Sequence, residues 1–313
     1  MVRTILIFFI GTGLLYAGAE ALVRGAIRLA ETFHIRPVII GLTVVAFGTS
    51  MPEFMVSLIS AIAGNSDIAL GNVVGSNIAN IGLILGLGAF LRPVTVGKTS
   101  FTIYLPVLFA ATITLYLFSF STVIGFLHGL VLLTGLVLFI YTVWLKRKRP
   151  LYTTAAIGTG SVDVSAKERV VDIVMVLGGS GLLLLGSHMM IDSGVSIAQA
   201  FGVSEFAIGV TLIAFGTSLP ELAATIVSVI KRNTDIILGN IIGSNIFNVL
   251  FVVGGVSVIH PIAVDSSSRS YEFPVMILFT VVLLVMMRTG KAVDRTEAFL
   301  LLVGYIIFLY FLF

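Results

Sequence analysis

Two glutamates end the same short motif in the two halves of this chain. Glu53 ends GTSMPE and Glu221 ends GTSLPE, and both motifs lie within long apolar stretches. A carboxylate at the centre of a membrane helix costs about 2.5–3.5 kcal/mol on insertion scales, so such a residue is by default a functional candidate. Each motif adds the hydroxyl oxygens of a Thr and a Ser. Oxygen ligands without Cys or His are typical of a site for a hard cation such as Ca2+.

A proline stands directly before each glutamate, at Pro52 and Pro220. Proline lacks an N–H group and clashes with the preceding helical turn, so each helix should break or kink there. The break is expected to free backbone carbonyls of the preceding turn, among them those of Ala46 and Ala214. Inside a membrane, such carbonyls persist only beside protein groups, water or an ion.

A second motif occupies the next helix of each half, as GNVVGSNIAN at 71–80 and GNIIGSNIFN at 239–248. In the first copy, Asn72, Ser76 and Asn80 are spaced by four residues and therefore share one helical face. The second copy supplies the equivalent residues, which are Asn240, Ser244 and Asn248. The leading asparagines are equally well interpreted as hydrogen-bonding groups between helices, and the glycines as packing positions.

Both motifs recur at a single offset of 168 residues. The segments 41–53 and 209–221 share nine of thirteen residues, and 71–80 and 239–248 share seven of ten. This agreement indicates a duplicated unit. A unit of five helices has odd parity, so the second copy must enter the membrane upside down. Inverted repeats of this kind place a substrate site near the midplane, where the two copies meet.

The composition excludes a soluble protein. Of the 313 residues, 58% are apolar and only 11% are charged, against about 25% charged in an average soluble domain. Mean hydropathy is +1.14. Apolar runs of about 20 residues recur, and each can cross roughly 30 Å of hydrocarbon. These runs lack the alternation of a β-barrel. The net charge of +3 lies in membrane loops and does not indicate nucleic-acid binding.

The predicted fold is therefore an all-α membrane protein with ten transmembrane helices in an inverted five-plus-five repeat. The helices are predicted at 4–30, 37–62, 67–90, 101–119, 123–145, 170–199, 205–230, 236–260, 272–288 and 296–313. The basic segment 146–169 is predicted as a cytoplasmic loop between a first repeat, 1–145, and a second, 170–313.

Lys and Arg residues predict the orientation, because cytoplasmic loops are enriched in them. With both termini outside the cell membrane, sixteen basic residues fall on the inner side and only Arg3 and Arg269 fall outside. The first helices of the two repeats have diverged, with Glu20 opposite His188 and Arg24 opposite Asp192. We expect Glu20, His188 and Asp192 to have packing or cavity-lining roles without clear partners.

The four motif copies resemble the two alpha-repeats of the calcium/cation antiporters, in particular the prokaryotic sodium/calcium exchanger branch. The resemblance implies that Glu53 and Glu221 hold Ca2+ with backbone oxygens near Thr49 and Thr217. It also implies flanking cation sites formed by Asn80, Asn248, Ser76, Ser244, Ser50 and Ser218. The first and sixth helices would slide against the rest to give alternating access. Ca2+ would be the transported substrate, with no cofactor.

The counter-ion is less closely determined by the sequence. Some archaeal sodium/calcium exchangers carry Asp where this chain has Asn248, so the motifs here hold only two acids. One Ca2+ or two protons would neutralise them, whereas three Na+ would leave an excess of positive charge. Charge counting therefore favours H+ slightly over Na+, although other sodium exchangers of the family also have Asn at this place.

Three other classes of protein are alternatives to an antiporter. A passive cation channel can also contain inverted repeats and broken helices. An intramembrane enzyme using Ser50 or Ser218 is disfavoured, because no His or Lys base follows at matching positions. A structural calcium-binding protein has no need of inverted symmetry. Membrane lipids are the expected surroundings, and the sequence indicates no protein partner.

Overall fold

The fold is described from a computed structural model, which describes residues 2–146, 166–201, 214–290 and 292–312. These residues are almost entirely helical. The helices are α1 Val2–Thr32, α2 Pro37–Ile62, α3 Ser66–Leu91, α4 Ser100–Phe118, α5 Phe126–Leu145, α6 Ala166–Ala200, α7 (214–230, interrupted at Ser218), α8 Thr234–Ile259, α9 Glu272–Gly290 and α10 Arg295–Leu312. A short helix, Ser266–Ser270, precedes α9.

Eight of these helices, α1–α6, α8 and α9, are long and apolar enough to cross a membrane. The prediction of an all-α multi-pass membrane protein is therefore confirmed. The count of ten spans stays a prediction, since residues 205–213 of the predicted seventh helix lie outside the described residues. Two predicted boundaries were wrong: α6 already begins at Ala166, and α5 begins only at Phe126. The rest of the predicted loop, 147–165, also lies outside the described residues.

Two pairs of short strands join the loops at the helix ends, and the sequence did not predict them. Strand β1 (Val94–Thr95) follows α3, β2 (Val123–Ile124) follows α4, β3 (Ile262–Ala263) follows α8, and β4 (Ala292–Val293) follows α9. Strand β1 pairs with β4, and β2 pairs with β3, both antiparallel. Each pair hydrogen-bonds backbone that would otherwise be left at a helix end.

Helices α1 and α6 form a tightly packed antiparallel pair. A side chain at Gly18 would meet the backbone of Gly179 at 2.8 Å, and one at Gly186 would meet that of Gly11 at 2.8 Å. Small residues let membrane helices approach this closely. The apolar side chains of this pair share a core cluster with residues of α2, α7 and α8, and a second cluster lies within α2–α5 and α8–α10. We call the pair the α1/α6 layer.

Helix α8 is the most deeply buried element, with every residue from Ile236 to Phe247 buried. Glycines bring α2 against it. The Cα atoms of Gly41 and Gly239 are so close that a Cβ on either residue would lie 3.0 Å from the other's Cα atom. A Cβ at Gly243 would lie 2.7 Å from the carbonyl oxygen of Leu42. The polar side chains of α2 and α8 are therefore held together in the centre of the protein.

Candidate cation site

The two glutamates each lie just after a break in a helix. In α2 the break is at Ser50, with φ −83° and ψ 1°, and in α7 it is at Ser218, with φ −87° and ψ 4°. These angles fall in the sparsely populated bridge region of backbone conformation. Pro52 and Pro220 then lie in the first turn of the following helical segment, where a missing N–H is tolerated. The predicted proline breaks are confirmed.

The helices that carry the second motif are also irregular at equivalent places. A π-helical turn occupies Asn80–Leu85 in α3 and another occupies Asn248–Val253 in α8. Such turns are rare and are frequently found at functional sites. Each begins on the asparagine that the sequence singled out as a candidate ligand. The sequence did not predict this wider turn.

The candidate side chains whose burial is described are all shielded from the surface. Glu53, Glu221, Thr49, Thr217, Asn80, Asn248, Ser76, Ser244 and Ser50 are 0% exposed, and Ser218 is 1% exposed. Charged and polar groups at this depth need partners, because burial without a hydrogen bond costs free energy.

Hydrogen bonds link the candidate residues across the two repeats. The hydroxyl of Thr49 in α2 donates to Oδ1 of Asn240 in α8 at 3.3 Å and lies 3.2 Å from the hydroxyl of Ser244. The amide of Asn248 donates to Ser76 in α3 at 3.0 Å. These bonds join residues of the first half to residues of the second, so the motifs form a single centre.

Asn72 makes the corresponding link from α3. Its Nδ2 atom donates to the backbone carbonyl of Glu53 at 3.1 Å and to the hydroxyl of Ser57 at 2.9 Å. Its Oδ1 atom accepts from Thr217 in α7 at 3.0 Å. The interpretation of Asn72 as a hydrogen-bonding group between helices is confirmed. Ser57 was missed, although it and Thr225 both follow their glutamates by four residues.

The two carboxylates are neighbours. They are close enough to repel each other, and the Glu221 carboxylate lies beside the hydroxyls of Thr49 and Ser244. None of the four carboxylate oxygens accepts a hydrogen bond of ordinary length and angle from a described residue, although the hydroxyls of Thr49 and Ser244 approach Glu221. No group of three or more His, Asp, Glu or Cys side chains that could hold a metal ion occurs in the described ranges. The two glutamates are therefore the acidic component of this centre.

Neutral oxygens of the motif residues also lack hydrogen-bond partners. Within the described part of the chain, partners are lacking for the hydroxyls of Ser50 and Ser218 and for the Oδ1 atoms of Asn80 and Asn248. Most buried polar atoms in proteins are paired, so this concentration of unpaired oxygens requires an explanation. A cation coordinated by several oxygens would supply it.

One detail differs from the sequence expectation. The carbonyl of Ala46 is not freed by the break, because it accepts a hydrogen bond from the Ser50 N–H at 2.9 Å; it also lies 3.3 Å from the Thr49 hydroxyl. The helix is broken further along, at Ser50. Ala214 is the first residue described in α7.

The residues that diverged between the first helices have partners, contrary to expectation. Glu20 in α1 pairs with Arg24 at 2.6 Å and with Lys231, at the end of α7, at 2.8 Å. His188 lies 3.2 Å from Asp192 on α6. Helix α6 also contacts the broken helix α7, where Ser187 donates to the carbonyl of Gly216 at 2.9 Å. The layer formed by α1 and α6 is therefore attached to the centre by polar contacts.

Broken membrane helices, a duplicated motif and a buried oxygen-lined centre are features of secondary cation transporters. The comparisons with known proteins agree. The sequence model of the sodium/calcium exchanger protein family matches residues 3–145 and 171–313. The chain belongs to this family, within the calcium/cation antiporter superfamily.

Relatives of the chain are similar over its whole length. The putative antiporter CaxA of Alkalimonas amylolytica is 39% identical, covering 100% of this chain and 99% of its own. The sodium/calcium exchanger MaX1 of Methanosarcina acetivorans is 30% identical over 98% of each chain. The solved structure of the sodium-calcium exchanger NCX_Mj, soaked with 10 mM Na+ and zero Ca2+, has a TM-score of 0.86 at 29% identity and covers 99% of this chain and 98% of that chain.

Proposed function

We propose that this protein is a secondary antiporter that carries Ca2+ across the cell membrane in exchange for a monovalent cation. The observation that carries the proposal is the buried pair Glu53 and Glu221, whose four carboxylate oxygens accept no hydrogen bond of ordinary length and angle from the described residues. Two adjacent carboxylates without compensation are costly in a low-dielectric interior. One Ca2+ would neutralise both, and the surrounding hydroxyl, amide and backbone oxygens would complete its coordination.

The strand pairs support an inverted arrangement of two five-helix repeats. Strand β1 follows α3 and β3 follows α8 at equivalent positions, yet they belong to different strand pairs. The 19-residue helix α4 leads from β1 to β2, which pairs with β3. The ends of α3 and α8 therefore lie at opposite ends of α4. Equivalent helices that run in opposite directions are what an inverted repeat requires.

The same pairing supports the proposed orientation. Because β1 pairs with β4, the basic residues Arg92 and Lys98 lie at the same end of the molecule as Arg288 and Arg295. Arg36 joins this end through a 3.1 Å hydrogen bond to Thr99. We assign this basic end to the cytoplasm, since positive residues accumulate in cytoplasmic loops. Both termini are then extracellular.

Exchange follows from the charge of the site. With the site empty, the protein would have to change state around two carboxylates that are not neutralised, which is unfavourable in a low-dielectric interior. With Ca2+ or its counter-ions bound, that cost disappears. Only the loaded protein then changes the side that it faces, and the α1/α6 layer is the part that we propose to move. Ca2+ and the counter-ion need never meet.

The unpaired neutral oxygens favour Na+ as the counter-ion. Protons would neutralise Glu53 and Glu221, but they would leave the oxygens of Ser50, Asn80 and Asn248 without partners. Leaving a buried polar group unpaired costs about 1–3 kcal/mol, whereas Na+ would use these oxygens. H+ remains the second candidate, because the charge of the two carboxylates alone favours it.

A gradient experiment decides between the two counter-ions. The purified protein is reconstituted in liposomes, and uptake of radioactive Ca2+ is measured under an outward Na+ gradient at fixed pH, then under a pH gradient without Na+. We expect uptake only with the Na+ gradient. Uptake driven by the pH gradient alone would reject Na+ and support H+. Equal uptake without any gradient would instead indicate a channel.

A further inference from the structure

The hydrogen bonds of the two leading asparagines are not equivalent in the two repeats. Asn72 uses its whole amide: Nδ2 donates to Glu53 and Ser57, and Oδ1 accepts from Thr217. Asn240 uses only Oδ1, which accepts from Thr49 at 3.3 Å. Its Nδ2 atom is buried and has no partner in the described ranges.

The hydroxyl that would accept a hydrogen bond from this amide, that of Thr225, is unpaired as well. Thr225 follows Glu221 by four residues, as Ser57 follows Glu53, and its buried hydroxyl has no partner among the residues described. Buried helical threonines elsewhere in this protein donate to the carbonyl four residues earlier; Thr112 does so at 2.9 Å and Thr280 at 2.9 Å. The hydroxyl of Thr225 does not make that bond.

The equivalent pairs Asn248–Ser76 and Asn80–Ser244 also differ, because only the first is hydrogen-bonded. Asn248 donates to Ser76 at 3.0 Å, but the amide of Asn80 does not donate to Ser244, and both its side-chain polar atoms lack partners within the described part of the chain. Repeats with matching residues thus hold different sets of hydrogen bonds. An inverted-repeat protein that faces one side must be asymmetric, and its opposite state exchanges the roles of the two halves.

We propose that Asn72 and Asn240 are positioning residues whose hydrogen bonds exchange between the repeats when the protein changes the side that it faces. This inference rests on the proposed alternating access. In the opposite state, Asn240 would donate to the carbonyl of Glu221 and to Thr225, while Asn72 would release Glu53 and Ser57. Each asparagine thereby fixes the start of the helix that carries one glutamate, in one state only.

The acceptor hydroxyls give the sharpest variants, because they lie outside the proposed ion ligands. Ser57→Ala removes the bond from Asn72 and the bond that Ser57 donates to the Ala69 carbonyl at 3.0 Å, so it should disfavour this state. Thr225→Val has nearly the same shape and removes a hydroxyl that is unpaired here, so it should disfavour the opposite state. If Thr225 had only a packing role, the valine variant would leave the balance of states unchanged. Asn72→Ala and Asn240→Ala are the corresponding asparagine variants.

The balance of states can be measured with spin labels, because the chain has no cysteine of its own. The labels are placed at Leu177→Cys on α6 and Val137→Cys on α5. The native side chains are 67% and 66% exposed, so labels there should not disturb the packing. Pulsed electron paramagnetic resonance then gives the distance distribution between α6 and the core. We expect two distances in the unmodified background, with Na+ and Ca2+ changing their shares.

Ser57→Ala and Asn72→Ala should each raise the share of the second distance at least about fivefold, because each removes more than one buried hydrogen bond of this state. Thr225→Val and Asn240→Ala should lower it by a similar factor. Thermal unfolding checks that each variant folds. If Ser57→Ala does not fold, Asn72→Ala takes its place, and Thr225→Val and Asn240→Ala replace each other in the same way. Shifts in the same direction, or no shift in either pair, would overturn the exchange. A single distance in the unmodified background under all ion conditions would instead overturn alternating access, and this inference with it.

Discussion

Glu53→Gln and Glu221→Gln should each abolish Ca2+ transport. Glutamine keeps the shape of the side chain but removes a negative charge. In our proposal, the two carboxylates together balance the charge of Ca2+. Breaking a buried charge pair costs about 3–5 kcal/mol, which corresponds to at least about a hundredfold loss of affinity. Uptake of radioactive Ca2+ into liposomes should therefore fall to the level of empty liposomes.

A stability measurement separates loss of binding from loss of folding. Both glutamates are fully buried and close together, so removing one charge should leave the ion-free protein at least as stable as before. Ca2+ should raise the unfolding temperature of the original protein but not that of the variants, because a ligand stabilises only what it binds. Glu31→Gln, at an exposed position of α1, is the matched control and should transport normally. Substantial transport by either buried variant would remove the proposed site.

Gly179→Leu should prevent α1 and α6 from packing. A Cβ atom at Gly179 would lie 2.6 Å from the backbone nitrogen of Leu22 and 2.7 Å from the carbonyl oxygen of Gly18. Both are backbone atoms, so they cannot move aside as a flexible side chain could. Extra volume in a packed interior costs about 1–3 kcal/mol or more, and here the whole helix would have to retreat. We expect little folded protein in detergent, measured by size-exclusion chromatography.

The neighbouring glycine provides the control for this variant. Gly178 is exposed, and a Cβ there would meet no described atom within 4 Å. Gly178→Leu changes the same helix by the same amount, but on its outer face. It should yield folded protein with an unchanged unfolding temperature. If both variants behaved alike, the close approach of α1 and α6 would not be the reason for the glycine at position 179.

The sequence predicted the parts of this site that depend on local chemistry. Proline has one effect on a helix wherever it occurs, so the breaks before Glu53 and Glu221 could be foreseen. The exact repeat offset allowed the two motifs to be combined into one centre. The burial of both glutamates followed from the apolar stretches around them.

The parts that the sequence did not predict depend on contacts between distant residues. Lys231 pairs with Glu20 across 211 positions of the chain, and no local pattern indicates such a partner. The Ala46 carbonyl was expected to be free, but the helix breaks only at Ser50, so this carbonyl keeps its bond from the Ser50 N–H. Ser57 and Thr225 were overlooked because a Ser and a Thr do not count as identities. Their equal spacing from the two glutamates was the available signal.

The most direct test of the proposed antiport is an exchange of Ca2+ for Ca2+. Liposomes containing the protein are loaded with radioactive Ca2+ and diluted into media without Na+ at constant pH, either with or without unlabelled Ca2+. If only the occupied pair Glu53 and Glu221 changes the side that it faces, labelled Ca2+ should leave rapidly only when Ca2+ is present outside. Release at the same rate into the Ca2+-free medium would show that the empty site returns, that a channel is open or that H+ is the counter-ion, and would contradict the proposed exchange of Ca2+ for Na+.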